Sequence, residues 1–399
     1  MKIRSLTARP ILDSRGAWTI ETAIELWNGA RAKASAPQGK STGKAEAPAI
    51  PAAAAIANTN DLLSSHAARV DFRDQASFDA LLCEINGGSA RAKVRLGSSA
   101  TLAASVAFLR ATAQSRGVPL WREVGAAYGE PLPSWADAAK PWLFANLVNG
   151  GLHAGNNLDF QEYLAIAKGR TFRESTEIIA DLYRELGNAL VRAKGKNARN
   201  VGDEGGYAPD FSSAEEPFRI MARLAKKLKL GNKVMFGMDA AATDVPRGAR
   251  SRLGERYASF IRRYGLAYLE DPFGEEEFGK FAALTEKFGG EIWIAGDDLT
   301  TTNTNRMARA LKEGSVNAVI VKPNQIGTVT LALDAVRAAR RYGWAVIASH
   351  RSGETDDDFI ADFAYGVRAD GLKLGAPARG ERIAKYNRLL EIEAEAAAA

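Results

Sequence analysis

Lys322 ends a four-residue apolar run, Ala318-Val319-Ile320-Val321, and Pro323 follows it at once. A run this short and mostly β-branched suits a strand buried on both faces. Proline stops it, and Gly327 opens a turn. A lysine fixed at the mouth of a packed strand loses hydration, so its pKa is expected to fall toward a value useful for taking a proton. Upstream, Asp239, Glu270 and Asp297 each close an apolar run. Three carboxylates gathered in one place repel one another unless a cation sits among them, and oxygen donors of this kind select a hard ion, Mg²⁺ before Ca²⁺. Further along, His350-Arg351-Ser352 and Lys373 form a set able to hold a phosphate or carboxylate through a planar fork, a hydroxyl and an ammonium. Two lysines brought close also lower one another's pKa, which lets one of them be neutral.

A metal ion with a neutral lysine points to removal of a proton from a carbon next to a carboxylate, because the cation neutralises the charge that forms. An acid is then wanted. Gly202-Asp203-Glu204-Gly205-Gly206 puts Glu204 in a glycine-rich turn where backbone can approach a ligand closely. Gln161-Glu162, in a strand predicted over Asn157 to Tyr163, offers a partner carboxylate.

The elements that must position these residues follow one pattern. Short apolar strands at 235–239, 266–270, 292–297, 318–322, 345–350 and 372–375 each lead into a helical stretch, and each ends on or includes an ionisable residue. From Asp239 through Glu270, Asp297, Lys322 and His350 to Lys373, the spacing is one strand-and-helix unit at a time. Parallel strands with a polar group at each carboxyl end describe an α/β fold, a TIM-like (β/α)8 barrel whose site gathers at that face. Residues 142–399 are assigned to it. Residues 1–130 read as an N-terminal α+β capping domain. Alternating strands fill 3–35, with turns at Asp13-Ser14-Arg15-Gly16 and Asn28-Gly29. Helical periodicity runs from about 49 to 128, with Ser77 as a cap and Leu102, Val106, Leu109 and Ala113 on one face. Residues 131–141 form the linker.

Composition narrows the partners. Lys and Arg number 53 against 47 acids, a net +6 that attracts anions but is modest for 399 residues. No five-residue basic run or aromatic-interleaved basic stripe occurs, so no nucleic acid is required. Cys83 alone cannot form an internal disulfide and reads as packing. No apolar stretch has the length of a signal peptide or a membrane span, and the protein is expected to be cytoplasmic, with no membrane partner. Gly39-Lys40-Ser41 suggests a phosphate-cradling loop, but the first glycine that motif needs is Ala34. Asp356-Asp357-Asp358 reads as a helix start rather than a metal cluster, and Glu391 to Ala399 as a frayed helix end.

The chain resembles the enolase family, the phosphopyruvate hydratases, almost end to end. The resemblance lies in Ile11-Leu12-Asp13-Ser14-Arg15-Gly16, Ser41-Thr42-Gly43, Asn149-Gly150-Gly151-Leu152-His153-Ala154-Gly155-Asn156 and Val201-Gly202-Asp203-Glu204-Gly205-Gly206. It continues through Glu270-Asp271-Pro272-Phe273, Gly296-Asp297-Asp298-Leu299-Thr300, Lys322-Pro323-Asn324-Gln325-Ile326-Gly327, Ser349-His350-Arg351-Ser352-Gly353-Glu354-Thr355 and Lys373-Leu374-Gly375-Ala376-Pro377. The resemblance implies Mg-dependent dehydration of 2-phospho-D-glycerate to phosphoenolpyruvate in glycolysis and gluconeogenesis. Lys322 would be the base at C2, and Glu204, backed by Glu162, the acid at the C3 hydroxyl. Asp239, Glu270 and Asp297 would hold the first of two Mg²⁺ ions against the substrate carboxylate, and Ser41 the second. Arg351 and Ser352 would take the phosphate and Lys373 the carboxylate. Gln161 and His350 would line the substrate site, and His153 would close over it. A homodimer or higher homo-oligomer is also implied.

Two departures from the family pattern stand out. Lys40 replaces a small residue beside Ser41, and Lys44-Ala45-Glu46-Ala47-Pro48 replaces an acidic, leucine-rich helix start. A related lyase or racemase on the same barrel would carry a Lys-x-Lys on an early barrel strand, which Gly237-Met238-Asp239-Ala240-Ala241 lacks. A purely non-catalytic scaffold role would have no need of the full acid, base and metal set.

Overall fold

The computed structural model describes residues 1–40, 43–87, 94–129 and 140–398. β1 (Ile3–Leu12), β2 (Trp18–Leu26) and β3 (Arg31–Ser35) form an antiparallel meander in that order, with turns where the sequence places them. Alternation selects its inner face: Ile20, Thr22, Ile24 and Leu26 of β2 are buried, while Glu21 and Glu25 point outward. Helix Gly97–Arg116 lies on β2 and β3, and its buried Ala100, Ala103, Ala104, Ala107 and Ala111 allow a close approach. Helix Gln75–Ile85 starts at Asp74, not at Ser77. The Asp74 carboxylate accepts the Ser77 N–H at 2.9 Å while the Asp74 N–H donates to the Ser77 hydroxyl at 3.1 Å, a reciprocal cap that puts Ser77 inside the first turn.

β4 (Trp142–Asn149), β5 (Glu162–Ala167), β6 (Val234–Asp239), β7 (Leu266–Glu270), β8 (Trp293–Gly296), β9 (Ala318–Val321), β10 (Ala345–Ser349) and β11 (Gly371–Lys373) close into a barrel in the order β10-β11-β4-β5-β6-β7-β8-β9. The closed eight-stranded barrel is the expected TIM-like one, and its order departs from a uniform (β/α)8 pattern at its start. β5 runs antiparallel to both β4 and β6, and the other neighbours are parallel. Antiparallel neighbours can be joined at one rim without a crossover helix, and the chain between β4 and β5 holds only the short 3₁₀ turn Gly151–His153. β4 escapes the strand-then-charge pattern because it ends on Asn149. β5 covers Glu162–Ala167 rather than 157–163, since every residue of the later run is buried while Asn157 lies exposed in the preceding loop.

The barrel interior is an apolar plug of Phe144, Leu164, Ile166, Tyr268, Ile320 and Ile347, closed at the amino rim by Trp142 stacked on Trp293 at 4.8 Å. Each fully buried aliphatic side chain there contributes about 1.5–3 kcal/mol, which confines charged groups to the other rim. The capping domain docks on the barrel through buried polar pairs. Asp79 accepts the Thr330 N–H and hydroxyl at 2.8 and 2.6 Å, and Arg110 forks Asp357 at 2.7 and 3.0 Å. Asp357 also caps helix Phe359–Gly366 through the Phe359 N–H, as its run of acids predicts.

The expected linker falls mostly on residues 130–139, outside the described residues. Through Ala397 the C-terminal segment is helix rather than frayed. Helix Gly380–Ala397 buries Ile392 and Ala396, and the Glu393 carboxylate accepts the Phe172 and Arg173 N–H groups at the start of helix Phe172–Lys194. A composition rich in Ala and Glu conceals those tertiary contacts. No helix among the described residues is long and apolar enough to cross a membrane.

Candidate active site

The reversal of β5 explains why its first residue belongs to the site. Glu162 faces Asn149 of β4 on one side and Asp239 of β6 on the other, and Asp239 faces Glu270 of β7. The amino end of β5 therefore lies at the same rim as the carboxyl ends of its neighbours. Lys373, the last residue of β11, places Nζ 2.7 Å from Glu162 Oε2, 3.2 Å from Asp239 Oδ2 and 2.9 Å from Glu270 Oε2, and all four groups are buried. Lys322 caps β9 and pairs its ammonium with Asp297. Gln325 donates to the other Asp297 oxygen at 2.9 Å, and Gln161 donates to Asp239 at 3.4 Å.

A second cluster adjoins the first. Oxygen or nitrogen atoms of His153, Glu162 and Glu204 lie within 4.8 Å of one another. His153 Nδ1 is 3.4 Å from Glu204 and 3.7 Å from Glu162, and Asn146 donates to Glu204 at 2.5 Å. His350 Nε2 lies 3.6 Å from the other Glu204 oxygen. Arg382, fully buried, donates to His350 Nδ1 at 2.6 Å and to the Arg351 and Ser352 carbonyls, fixing the ring and the loop together. With Nδ1 accepting, the ring proton sits on Nε2, toward Glu204.

Electrostatics overturn one expectation. Burial pushes the Lys322 ammonium down, but the surrounding carboxylates, Asp297 first and then Glu270, together hold the pKa above the ordinary lysine value. Lys373 goes the same way, well above, because Glu162, Glu270 and Asp239 surround it. Both lysines are held as ammonium ions by the carboxylates paired with them. Glu270 is pushed up to about 8 by burial and then by Asp239. Glu162 is raised well above the carboxylate range by burial and then by Glu204. Burial would raise Glu204 too, but His153 leads the neighbours that hold it well below. Close carboxylates that differ this way share one proton. His350 stays neutral, pushed down by burial and by Arg382.

The anion-binding side carries a partner of its own. Arg351 forks Glu46, with NH1 to Oε2 at 3.0 Å and NH2 to Oε1 at 3.1 Å. Ser352 accepts the Lys40 N–H at 2.8 Å. Ser41 lies outside the described residues. All the other expected site residues except Glu270 line a single cavity; Glu270 sits just beneath it, under Lys373.

Asp239, Glu270 and Asp297, the expected cation ligands, are hard oxygen donors at three adjacent strand ends, and burial and then the Asp239 charge raise Glu270. A tighter carboxylate group is Asp271, Asp297 and Asp298, with ligand atoms within 4.8 Å of one another. Asp271 holds φ at +40°, unusual for a non-glycine, and accepts the Asp297 and Asp298 N–H groups at 3.1 and 2.7 Å, which sets the turn that carries Asp297. Sequence reasoning gave no role to Asp271, Asp298, Gln325, Asn146, Glu46 or Arg382. The first two sit beside chosen acids and were within reach. Arg382, on the last helix, carries no local signal.

Comparison with known proteins agrees across the chain. The family model for the enolase N-terminal domain matches residues 3–124, and that for the enolase C-terminal TIM barrel domain matches 138–248 and 246–399. The enolase of Methanopyrus kandleri is 37% identical over 423 residues, covering 100% of this chain and 97% of that one. The enolase of Thermococcus gammatolerans is 37% identical over 422 residues, covering 99% and 95%. Enolase 2 of Hevea brasiliensis is 36% identical over 432 residues, covering 98% and 95%.

Proposed function

The chain belongs to the enolase family and is a lyase, and from that premise we propose that it dehydrates 2-phospho-D-glycerate to phosphoenolpyruvate, the step shared by glycolysis and gluconeogenesis. The observation that carries this reading is the gathering of two ammonium ions, a one-proton carboxylate pair and an arginine fork around one cavity.

Lys322, in its neutral form, takes the C2 proton, and the electron pair left behind becomes the C2–C3 double bond as the C3 hydroxyl departs. The single proton of the Glu162 and Glu204 pair reaches that hydroxyl through Glu204, so it leaves as water. His153, between both carboxylates, holds them together. Lys373 stays protonated and neutralises charge that builds on the substrate carboxylate. Arg351 and Ser352 hold the phosphate, with Gln161 and His350 lining the site. Asp239, Glu270 and Asp297 would hold one Mg²⁺ ion and Ser41 a second; bound there, the ion would supply positive charge to the substrate carboxylate and would draw the Asp297 carboxylate away from Lys322.

We also place the protein in the cytoplasm, as a homodimer or higher homo-oligomer. Leu12 and Trp18, cross-strand neighbours that are both more than half exposed, offer apolar surface to a second copy. Incubation with 2-phosphoglycerate and Mg²⁺, followed by ultraviolet absorbance of phosphoenolpyruvate, tests the activity. Absence of product from folded protein with magnesium present rules it out. Light scattering tests the assembly, and a monomer mass would contradict it.

A further inference from the structure

A lysine outside the expected catalytic set ties together three loops of the site. Gln38 to Lys40 leave the capping domain and run along the rim, held by reciprocal backbone hydrogen bonds between Gln38 and Gly353 at 2.7 and 2.9 Å. The Lys40 N–H donates to Ser352 Oγ at 2.8 Å. Its side chain reaches two other loops: Nζ donates to the Leu152 carbonyl at 2.5 Å and to Asp203 Oδ2 at 3.2 Å. Leu152 immediately precedes His153, and Asp203 immediately precedes Glu204. The Asp203 N–H in turn donates to the His153 carbonyl at 3.0 Å. The loops carrying His153 and Glu204 are thus joined to each other by backbone, and to the Ser352 side by one ammonium.

The Lys40 side chain is 45% exposed and that of Asp203 26%, and ion pairs so placed add little to fold stability. Geometry at a reacting centre is far more sensitive, since a displacement of about 1 Å can cost on the order of a hundredfold in rate. We propose that Lys40 is a positioning residue for the acid half of the reaction: it sets His153 and Glu204 against the leaving hydroxyl and leaves the Lys322 half unaffected. Lys40 touches none of the reacting groups, and it acts through the residues next to them. This inference rests on the hydratase reading above.

The test compares wild type, Lys40→Met and Lys40→Arg in saturating 2-phosphoglycerate and Mg²⁺. Dehydration is read by absorbance, C2 hydrogen exchange in heavy water by NMR, and folding by thermal midpoint. Methionine keeps most of the length and removes the charge, so K40M is expected to lower kcat for dehydration by about tenfold while exchange and midpoint stay near wild type. K40R is expected to recover most of the loss. Dehydration within twofold of wild type in K40M overturns the proposal. So does an equal fall in exchange and dehydration, a matching fall in midpoint, or no recovery in K40R. Wild type that makes no product would instead sink the hydratase reading.

Discussion

Lys373 places one ammonium 2.9 Å from Glu270 and 2.7 Å from Glu162, so a single buried cation serves carboxylates on strands that run in opposite directions. Lys373→Met leaves those groups and Asp239 without their counter-charge. Uncompensated buried charge of this kind costs about 3–5 kcal/mol, to be read by urea denaturation above pH 8, where Glu270 is ionised. The deficit should shrink as pH falls, because protonating the carboxylates removes their repulsion. A deficit that does not vary with pH would contradict this account of the rim.

The base and acid are separable. Lys322→Ala should abolish C2 exchange and dehydration together, each by about 10²-fold or more. Glu204→Gln should stop dehydration while exchange in heavy water persists. If both processes fail in the glutamine variant, the division of roles between Lys322 and Glu204 is wrong.

Glu46 occupies the Arg351 fork with two contacts of 3.0 and 3.1 Å, the geometry in which a phosphate would bind. Glu46→Gln removes the competing charge, and inorganic phosphate should then bind about tenfold more tightly, a difference of about 1.4 kcal/mol. Thermal midpoints titrated with phosphate report it. Equal shifts in variant and wild type would show that Glu46 does not compete for the fork.

Burial pushes the Asp79 carboxyl up to about 6, against the Ser105, Thr330 and Gln75 donors that pull it down. A raised folded pKa means the folded chain binds more protons than the unfolded one between about pH 4 and 6. Stability contributed by this group is therefore present at acid pH and is lost as pH rises through that window, by about 3 kcal/mol. Because Asp79 joins the capping domain to Thr330, the loss should fall on domain docking. Urea midpoints of wild type and Asp79→Asn across that range give the answer, and identical pH slopes would exclude Asp79 as the source.

The sequence by itself determined the meander of residues 3–35, most of the parallel barrel strands and most of the ionisable residues that line the cavity. It could do so because these strands announce themselves locally, the meander by its alternation and turns and the parallel barrel strands by an apolar run that ends on or includes an ionisable side chain. What only the tertiary structure decided depends on pairing between distant segments. The reversal of β5 puts Glu162 at the start of a strand yet at the working rim, and no local pattern distinguishes a reversed strand from a parallel one. The charge state of Lys322 turned on Asp297, 25 positions away, and Glu270, which together offset the burial that the local run foretold. Arg382, Glu46 and Lys40 reach the site from the last helix and from the first loop after β3, where neither composition nor periodicity marks them, because hydrogen-bond partners are chosen by distance in space and not along the chain.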